Sequence, residues 1–385
     1  MAKHKAIVLG CGLVGATMAR ELAADETFHV TVADVNADNL RKFANAPKIA
    51  TLQADLSDAV AVRNTVAPFD VVLGALPSRI GFQTLRTVIE AGKNYSDISF
   101  MSEDATWLDD LAKARGVSAV VDCGVAPGLS NMIVGHVYAT LDETFNLQMY
   151  VGGLPKVRRW PYQYKAPFSP ADVLEEYTRP ARIVEHGEVI ERPALSDREL
   201  LDFDRVGTLE AFNTDGLRSL IKTVKVPRMR EKTLRYPGHC ELMRTLRETG
   251  FLDLKEIEVG GVKIRPRDLT AKLLFPKWTF DPGEQEFTVM RVVIEGRMGH
   301  DAKRYTYELY DEYDVKNGVS SMARTTAFPN AIVARMLARG EIQAKGVLPP
   351  EFLGKEPGVF DHVVRELSAR GVTFTEKVEL IPAPA

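Results

Sequence analysis

Ala6-Ile7-Val8-Leu9-Gly10-Cys11-Gly12-Leu13-Val14-Gly15 is the stretch whose reading decides the fold. Its apolar start has the length of a buried parallel strand and runs directly into a GxGxxG turn. In that pattern the first glycine turns the chain tightly and the second lets the backbone approach a pyrophosphate. The third brings the following helix close to the sheet. The helix expected over residues 14–24 would aim its N-terminal amides at phosphate oxygens. A second apolar run, Val30-Thr31-Val32-Ala33, ends in Asp34, where a carboxylate accepts hydrogen bonds from a ribose hydroxyl. Strand, turn, helix, strand and acid arrive in order. The segment therefore reads as a dinucleotide site built on Gly10, Gly12, Leu13, Val14, Gly15 and Asp34.

Asp34 also bears on which dinucleotide. An acid here repels a 2′-phosphate, and no Arg or Lys follows in Val35-Asn36-Ala37, so NAD is expected over NADP. Arg41 and Lys42 lie one or two helical turns further on. Asp55, after Leu52-Gln53-Ala54, reads either as a neighbour of the adenine edge or as a helix N-cap.

The alternation continues outward. Helices are expected at 37–46, 56–65, 81–91 and 103–115, and strands at 49–53, 70–76, 94–98 and 118–122. Ala75, Leu76 and Pro77 close the fourth strand at its carboxyl end, where ligands gather in open α/β sheets. This is the pattern of an α/β doubly wound parallel sheet, a Rossmann domain over residues 1–125. From 126 to 324 the character changes to a second, α+β domain with a mixed sheet. A half-exposed strand is expected at 145–151, little helical periodicity up to about 231, and an antiparallel pair at 287–296 and 304–313. Helices at 327–339 and 360–370 suggest that 325–385 packs back on the first domain.

Composition narrows the function classes. The 385 residues are 45% hydrophobic and 26% charged, with a net charge of -3, which lacks the basic excess of a nucleic-acid binder. No apolar stretch approaches the roughly twenty residues that span a bilayer, and Met1-Ala2-Lys3-His4 leads straight into a strand. The three cysteines have no paired spacing, and the reading is a cytoplasmic protein. The seven histidines show no metal-ligand spacing, so no metal is expected.

Several segments are dense in polar groups. Asp122-Cys123-Gly124-Val125-Ala126-Pro127-Gly128 leaves a strand on Gly and Pro. Gly128-Leu129-Ser130-Asn131 reads either as a helix start with free amides for a carboxylate or as a joining turn capped by Ser130. The stretch 207–218 alternates acids and hydroxyls. Thr233-Leu234-Arg235-Tyr236-Pro237-Gly238-His239 sets a guanidinium and an imidazole four residues apart.

At these segments the chain resembles the saccharopine dehydrogenase superfamily, most closely its lysine 6-dehydrogenase branch. The resemblance is carried by the Gly10–Gly15 turn, Gly124-Val125-Ala126-Pro127-Gly128, Tyr150-Val151-Gly152-Gly153-Leu154-Pro155 and Leu209-Glu210-Ala211-Phe212. It extends through Thr233 to His239, Ile264-Arg265-Pro266-Arg267-Asp268 and Met322-Ala323-Arg324-Thr325-Thr326-Ala327 to Gly346-Val347-Leu348-Pro349-Pro350-Glu351. Saccharopine reductases tend to have Asp at Ala126, Cys at Val151 and Tyr at Phe100, three departures that turn the resemblance toward the lysine branch.

The resemblance implies NAD-dependent oxidative deamination of the ε-amino group of a small-molecule amino acid, L-lysine, by a homo-oligomer formed through the second domain. An imine-reducing enzyme of the saccharopine or carboxynorspermidine type is the alternative. A dinucleotide-binding redox sensor is a third. For the deaminase a general base is needed, and Asp97, Asp122 and His239 are the candidates. Arg235 is the candidate for the α-carboxylate, and Glu210, Thr214 and Asp215 for the α-ammonium side.

Overall fold

The structure, a computed structural model, describes residues 3–382. The chain divides into two compact units. The first runs to His136 and takes in Ala323–Val372, and the second comprises Val137–Met322 with the chain from Thr373 onward. The first division thus falls at 136/137 rather than at 125/126.

In the first unit, β1 (His4–Leu9), β2 (Phe28–Asp34), β3 (Ile49–Gln53), β4 (Val71–Gly74), β5 (Asn94–Asp97) and β6 (Ser118–Val120) share one sheet with the strand Gly346–Leu348. The spatial order is Gly346–Leu348, β6, β5, β4, β1, β2, β3, and every pairing is parallel. The cause is legible in β1, where Ala6, Ile7, Val8 and Leu9 are all fully buried. A strand covered on both faces must be apolar at every position, and helices on either side of a parallel sheet supply that cover. Strand order reverses around β1, with β2 on one side and β4 on the other. That switch point opens the crevice at the carboxyl ends of β1 and β4.

Several helix bounds differ from expectation. The helix expected at 37–46 is the short Ala37–Arg41, and the one at 56–65 starts at Ala59 because Asp58 caps it through the amides of Val60 and Ala61. The 103–115 stretch is a 3₁₀ turn, Ala105–Leu108, followed by Asp109–Arg115.

The second unit is built on a nine-stranded mixed sheet. Its spine is the order Glu199–Phe203, Gly207–Asn213, Met229–Arg235, Glu143–Pro155, Glu286–Met298, Asp301–Glu312, Phe374–Leu380. Along this spine only Met229–Arg235 and Glu143–Pro155 run parallel. The hairpin Ala181–Glu185/Glu188–Arg192 joins at Met229. The last strand corrects the reading of the C-terminal segment, because Phe374–Leu380 extends the second sheet by pairing with Asp301–Glu312. Its exposed charges, Glu376 and Lys377, suit an edge strand. Among the described residues no helix is long and apolar enough to cross a membrane.

The segment 323–372 is fastened inside the first unit by charge. Arg335, on the helix Ser321–Ala338, is buried and donates to the carbonyl of Glu21 at 2.6 Å. It also pairs with the carboxylates of Glu21 at 2.9 Å and Asp25 at 3.4 Å. Arg370 donates to the same Glu21 carboxylate at 2.5 Å. Removing one member strands the others in a place with little water. Arg335→Ala is expected to lower the unfolding free energy by about 3–5 kcal/mol in urea titrations; a loss under about 1 kcal/mol would show the cluster to be solvated.

Candidate functional site

The glycine loop stands at the switch point. Gly10 has φ +97, and a Cβ there would lie 2.3 Å from the carbonyl oxygen of Ala75. A Cβ on Gly15 would lie 2.0 Å from the carbonyl oxygen of Gly10. Both positions therefore require glycine for close backbone approach. Gly12 differs, because a Cβ there meets nothing within 4 Å. Gly12 is also the N-cap of the helix Leu13–Ala23 and brings no side chain to the first-turn amides. An open face, bare amides and the positive helix end together fit a pyrophosphate.

Asp34 lies at the end of β2, as expected, and also braces the loop. Its Oδ2 accepts from the Cys11 amide at 2.7 Å and its Oδ1 from the Asn36 amide at 2.7 Å. Asn39 donates to Oδ2 at 3.4 Å. The nearby cations are engaged locally: Arg41 pairs with Asp38, and Lys42 donates to Asn39 at 3.1 Å. Leu76 and Pro77 follow Ala75 beyond β4, and Pro77 caps the helix Ser78–Glu90. Asp55 is not a helix cap. Its Oδ1 accepts from the amide and hydroxyl of Ser57, a turn that precedes the Asp58 cap.

Asp97 shares this edge of the sheet. Leu9 pairs with Gly74, and Gly74 with Asp97, so three strand ends are in register. Two strand spacings of ~4.8 Å put Asp97 roughly 10 Å from the end of β1. Its carboxyl is fully buried. Oδ1 accepts from Tyr95 Oη at 3.1 Å and Ser99 Oγ at 2.8 Å, while Oδ2 has no hydrogen-bond partner among the described residues. Burial pushes the Asp97 carboxyl up to about 6 against the pull of these donors, and the Asp122 carboxylate adds to the rise. Asp122 is itself buried, with φ 51.

The turn after β6 is closed on itself. Leu129 and Ser130 donate their amides to the carbonyls of Gly124 and Val125, and Asn131 accepts from the Gly128 amide at 3.4 Å. Those amides hold the turn and are not free for a carboxylate, which settles the two readings of Gly128–Asn131. Asn131, rather than Ser130, does the capping, and Ser130 donates to it at 3.1 Å.

The second unit gathers the remaining candidates with several residues that sequence reasoning missed. Arg235 is buried, and its guanidinium uses four of its five N–H groups. They reach Tyr177 Oη at 3.2 Å, the Leu234 carbonyl at 3.0 Å, Tyr164 Oη at 3.3 Å and Glu176 at 2.7 Å. A bidentate grip on a substrate carboxylate has no pair of donors left, which corrects the expected role. Glu176, its partner, is pushed up by burial against the pull of Arg235.

His239 completes the network. Nδ1 lies 2.9 Å from the Tyr162 carbonyl and Nε2 lies 2.9 Å from Tyr177 Oη. A carbonyl only accepts, so Nδ1 carries the proton and Nε2 accepts from Tyr177. Burial and the Arg235 charge push the imidazole down to about 3. It is a neutral structural link at physiological pH, in place of the general base expected from an ordinary histidine.

Glu210 accepts from the amides of Gly238 at 3.1 Å and Cys240 at 3.3 Å, so it caps the helix His239–Glu248. Asp215 takes both arms of Arg182, at 2.8 and 2.9 Å. Thr214 donates to Glu231 at 2.6 Å and lies 2.9 Å from Thr233 Oγ1. Of the three expected ammonium partners, Glu210 and Asp215 are thus committed to protein groups. Glu231 was missed, although the two-residue period of Met229–Arg235 sets Glu231, Thr233 and Arg235 on one face. Glu176, Tyr164, Tyr177 and Trp278 come from distant segments, and only the fold unites them. Among the described residues no group of three or more His, Cys, Asp or Glu could hold a metal ion.

Burial pushes Glu231 up to about 8 from an ordinary 4.5. A raised acid adds stability that is full below the unfolded value and is lost as pH rises through the folded one. Wild type is therefore expected to lose stability between pH 4.5 and 8 relative to Glu231→Gln, with the two converging at lower pH. Parallel thermal unfolding curves across that range would contradict the burial argument.

Residues 6–120 match the saccharopine dehydrogenase NADP binding domain, and residues 124–372 match the saccharopine dehydrogenase C-terminal domain. The mitochondrial alpha-aminoadipic semialdehyde synthase of Mus musculus is 23% identical over 97% of this chain, which spans 47% of that protein. The chain spans about half the length, or less, of the first curated relatives it matches. The saccharopine dehydrogenase [NADP(+), L-glutamate-forming] of Schizosaccharomyces pombe is 22% identical, over 97% of this chain and 98% of its own. Apo saccharopine dehydrogenase (L-Glu forming) of Saccharomyces cerevisiae has the same fold, with a TM-score of 0.81 at 20% identity over 98% of this chain and all of that one. With matched domains covering almost all of its length, and a glycine loop shaped for a dinucleotide, the chain belongs to the saccharopine dehydrogenase family.

Proposed function

We propose that the protein is an NAD-dependent oxidoreductase acting on a carbon–nitrogen bond of an amino acid, and that it removes the ε-amino group of L-lysine. Lysine, NAD and water would give 2-aminoadipate 6-semialdehyde, ammonia, NADH and a proton. The single observation that carries the reading is Asp97, a buried carboxyl with one unpartnered oxygen on the sheet edge that presents the glycine loop. An ε-ammonium must lose a proton before its carbon can be oxidised, and the water that attacks the resulting imine must lose one too. An acceptor titrating near 6 is ionised at neutral pH and suited to both steps. A bound dinucleotide supplies the hydride acceptor. Asp122, one strand further along, is the second candidate for proton transfer.

The choice of NAD rests on Asp34, an acid at the end of β2 whose charge would repel a 2′-phosphate, with Arg41 and Lys42 engaged nearby. The curated relatives that carry a dinucleotide in their names carry NADP(+), so this choice departs from them. Lysine is favoured over saccharopine by Ala126, Val151 and Phe100, the three departures from the reductase pattern. Oxidation of saccharopine is the second reading, supported by the names of the relatives.

Incubation with NAD and L-lysine is expected to release ammonia and NADH in equal amounts. Turnover of saccharopine alone would select the second reading, and no turnover of either would overturn both. Asp97→Asn should lower kcat at least about 100-fold while leaving the NAD dissociation constant within about twofold. A kcat within tenfold of wild type would remove Asp97 from proton transfer. Asp34→Ser should narrow the preference for NAD over NADP at least about tenfold. An unchanged preference would place the selection elsewhere.

A further inference from the structure

Tyr95, Asp97 and Ser99 follow one another at every second position. Along a strand that spacing puts Tyr95 and Asp97 on one face of β5. A side chain two positions back needs the length of a phenol to reach a carboxyl, and the Tyr95 hydroxyl donates to Asp97 Oδ1 at 3.1 Å. Beyond β5 the chain is tied back, with the Ile98 amide donating to the Gly74 carbonyl at 3.2 Å and the Met101 amide to the Ser99 carbonyl at 2.9 Å. That turn brings the Ser99 hydroxyl to the same Oδ1, at 2.8 Å. All three residues are buried.

Two glycines on neighbouring elements clear the space for this arrangement. A Cβ on Gly74, at the end of β4, would lie 2.0 Å from Tyr95 Oη and 2.1 Å from Asp97 Oδ1. A Cβ on Gly81, in the helix Ser78–Glu90, would lie 2.8 Å from the Cβ of Ser99. Neither glycine has a positive φ, so clearance and not backbone freedom is what glycine supplies here.

A carboxyl group turns about its Cβ–Cγ bond, and two unheld oxygens exchange places. Two donors on Oδ1 oppose that rotation, while Oδ2 has no hydrogen-bond partner among the described residues. We propose that Tyr95 and Ser99 are positioning residues for proton transfer: they pin Oδ1 in the space cleared by Gly74 and Gly81, so that Oδ2 alone meets the reacting proton. The proposal rests on Asp97 being the proton acceptor. The groups facing the carboxyl fix the sign of its response. Burial disfavours the ionised form, the hydroxyl and amide of Ser99 and the hydroxyl of Tyr95 favour it, and the Asp122 carboxylate beyond β6 disfavours it again. Burial and the Asp97 charge hold the Tyr95 phenol well above its usual range, so it stays protonated and donates. Burial pushes the neighbouring Cys123 thiol up to about 12, so it adds no charge at neutral pH. β4 and the helix Ser78–Glu90 meet this cluster through Gly74 and Gly81, which carry none.

Carbon-13 nuclear magnetic resonance of the full chain labelled at aspartate Cγ tests the clamp without turnover, the Asp97 signal being identified by its loss in Asp97→Asn. Wild type is expected to titrate at about 6. Tyr95→Phe and Ser99→Ala, with unchanged far-ultraviolet circular dichroism spectra, should each raise that midpoint by about one pH unit, because each removes a donor to the charged form. Gly74→Ala keeps both hydroxyls but drives a methyl group against the Tyr95–Asp97 bond, and should move the midpoint the same way. The acid limb of kcat, read with whichever of L-lysine and saccharopine is turned over, should rise with the midpoint while the NAD dissociation constant stays unchanged. A midpoint unmoved in both hydroxyl variants would overturn the proposal, whatever their activity. A midpoint that rises while the kcat limb stays in place would trace the failure to Asp97 as the proton acceptor.

Discussion

The approach of one backbone to another at the switch point governs the rest of the first unit. Gly10 passes so near the Ala75 carbonyl that no side chain fits between them. That contact lays the loop across the end of β4 and brings the Cys11 amide to the Asp34 carboxylate. It also leaves Gly12 on the open side, at the start of a helix with uncapped amides. Loop, strand-ending acid and helix dipole are therefore consequences of a single steric permission, and Asp97 joins them because β4 sets its register against both neighbours.

The second unit follows a different logic, in which a buried charge is balanced by close pairing. A guanidinium inside an aromatic shell is tolerated because four of its donors have acceptors and Tyr164 stacks 4.3 Å from its carbon. The same pairing fixes His239 as the Nδ1 tautomer and holds it neutral. A network paired this closely rigidifies a site more readily than it reacts. In the first unit, Asp97 Oδ2 is buried without a hydrogen-bond partner among the described residues.

Much of the first unit was legible in the sequence because a parallel sheet and a glycine turn leave local marks. Ala6 to Leu9 had to be a buried strand, and Asp34 had to end another. Asp55 was harder, since an acid before a helix reads as its cap and the cap was three residues on. The second unit resisted for a physical reason. Arg235, Glu210 and Asp215 have the right chemistry for a substrate, but Glu176, Gly238, Cys240 and Arg182, which occupy them, are supplied by other segments. Local pattern states what a side chain can do, and tertiary pairing decides whether it remains available. Phe374–Leu380 makes the same point for the fold, because its partner strand ends more than sixty residues earlier.

The most direct test of the central claim follows the hydrogen itself. L-lysine carrying two deuterons on its ε-carbon, incubated with the protein and NAD, should yield reduced dinucleotide heavier by one deuteron, together with free ammonia. Reduced dinucleotide without deuterium would place the oxidised carbon elsewhere in the substrate and contradict ε-deamination.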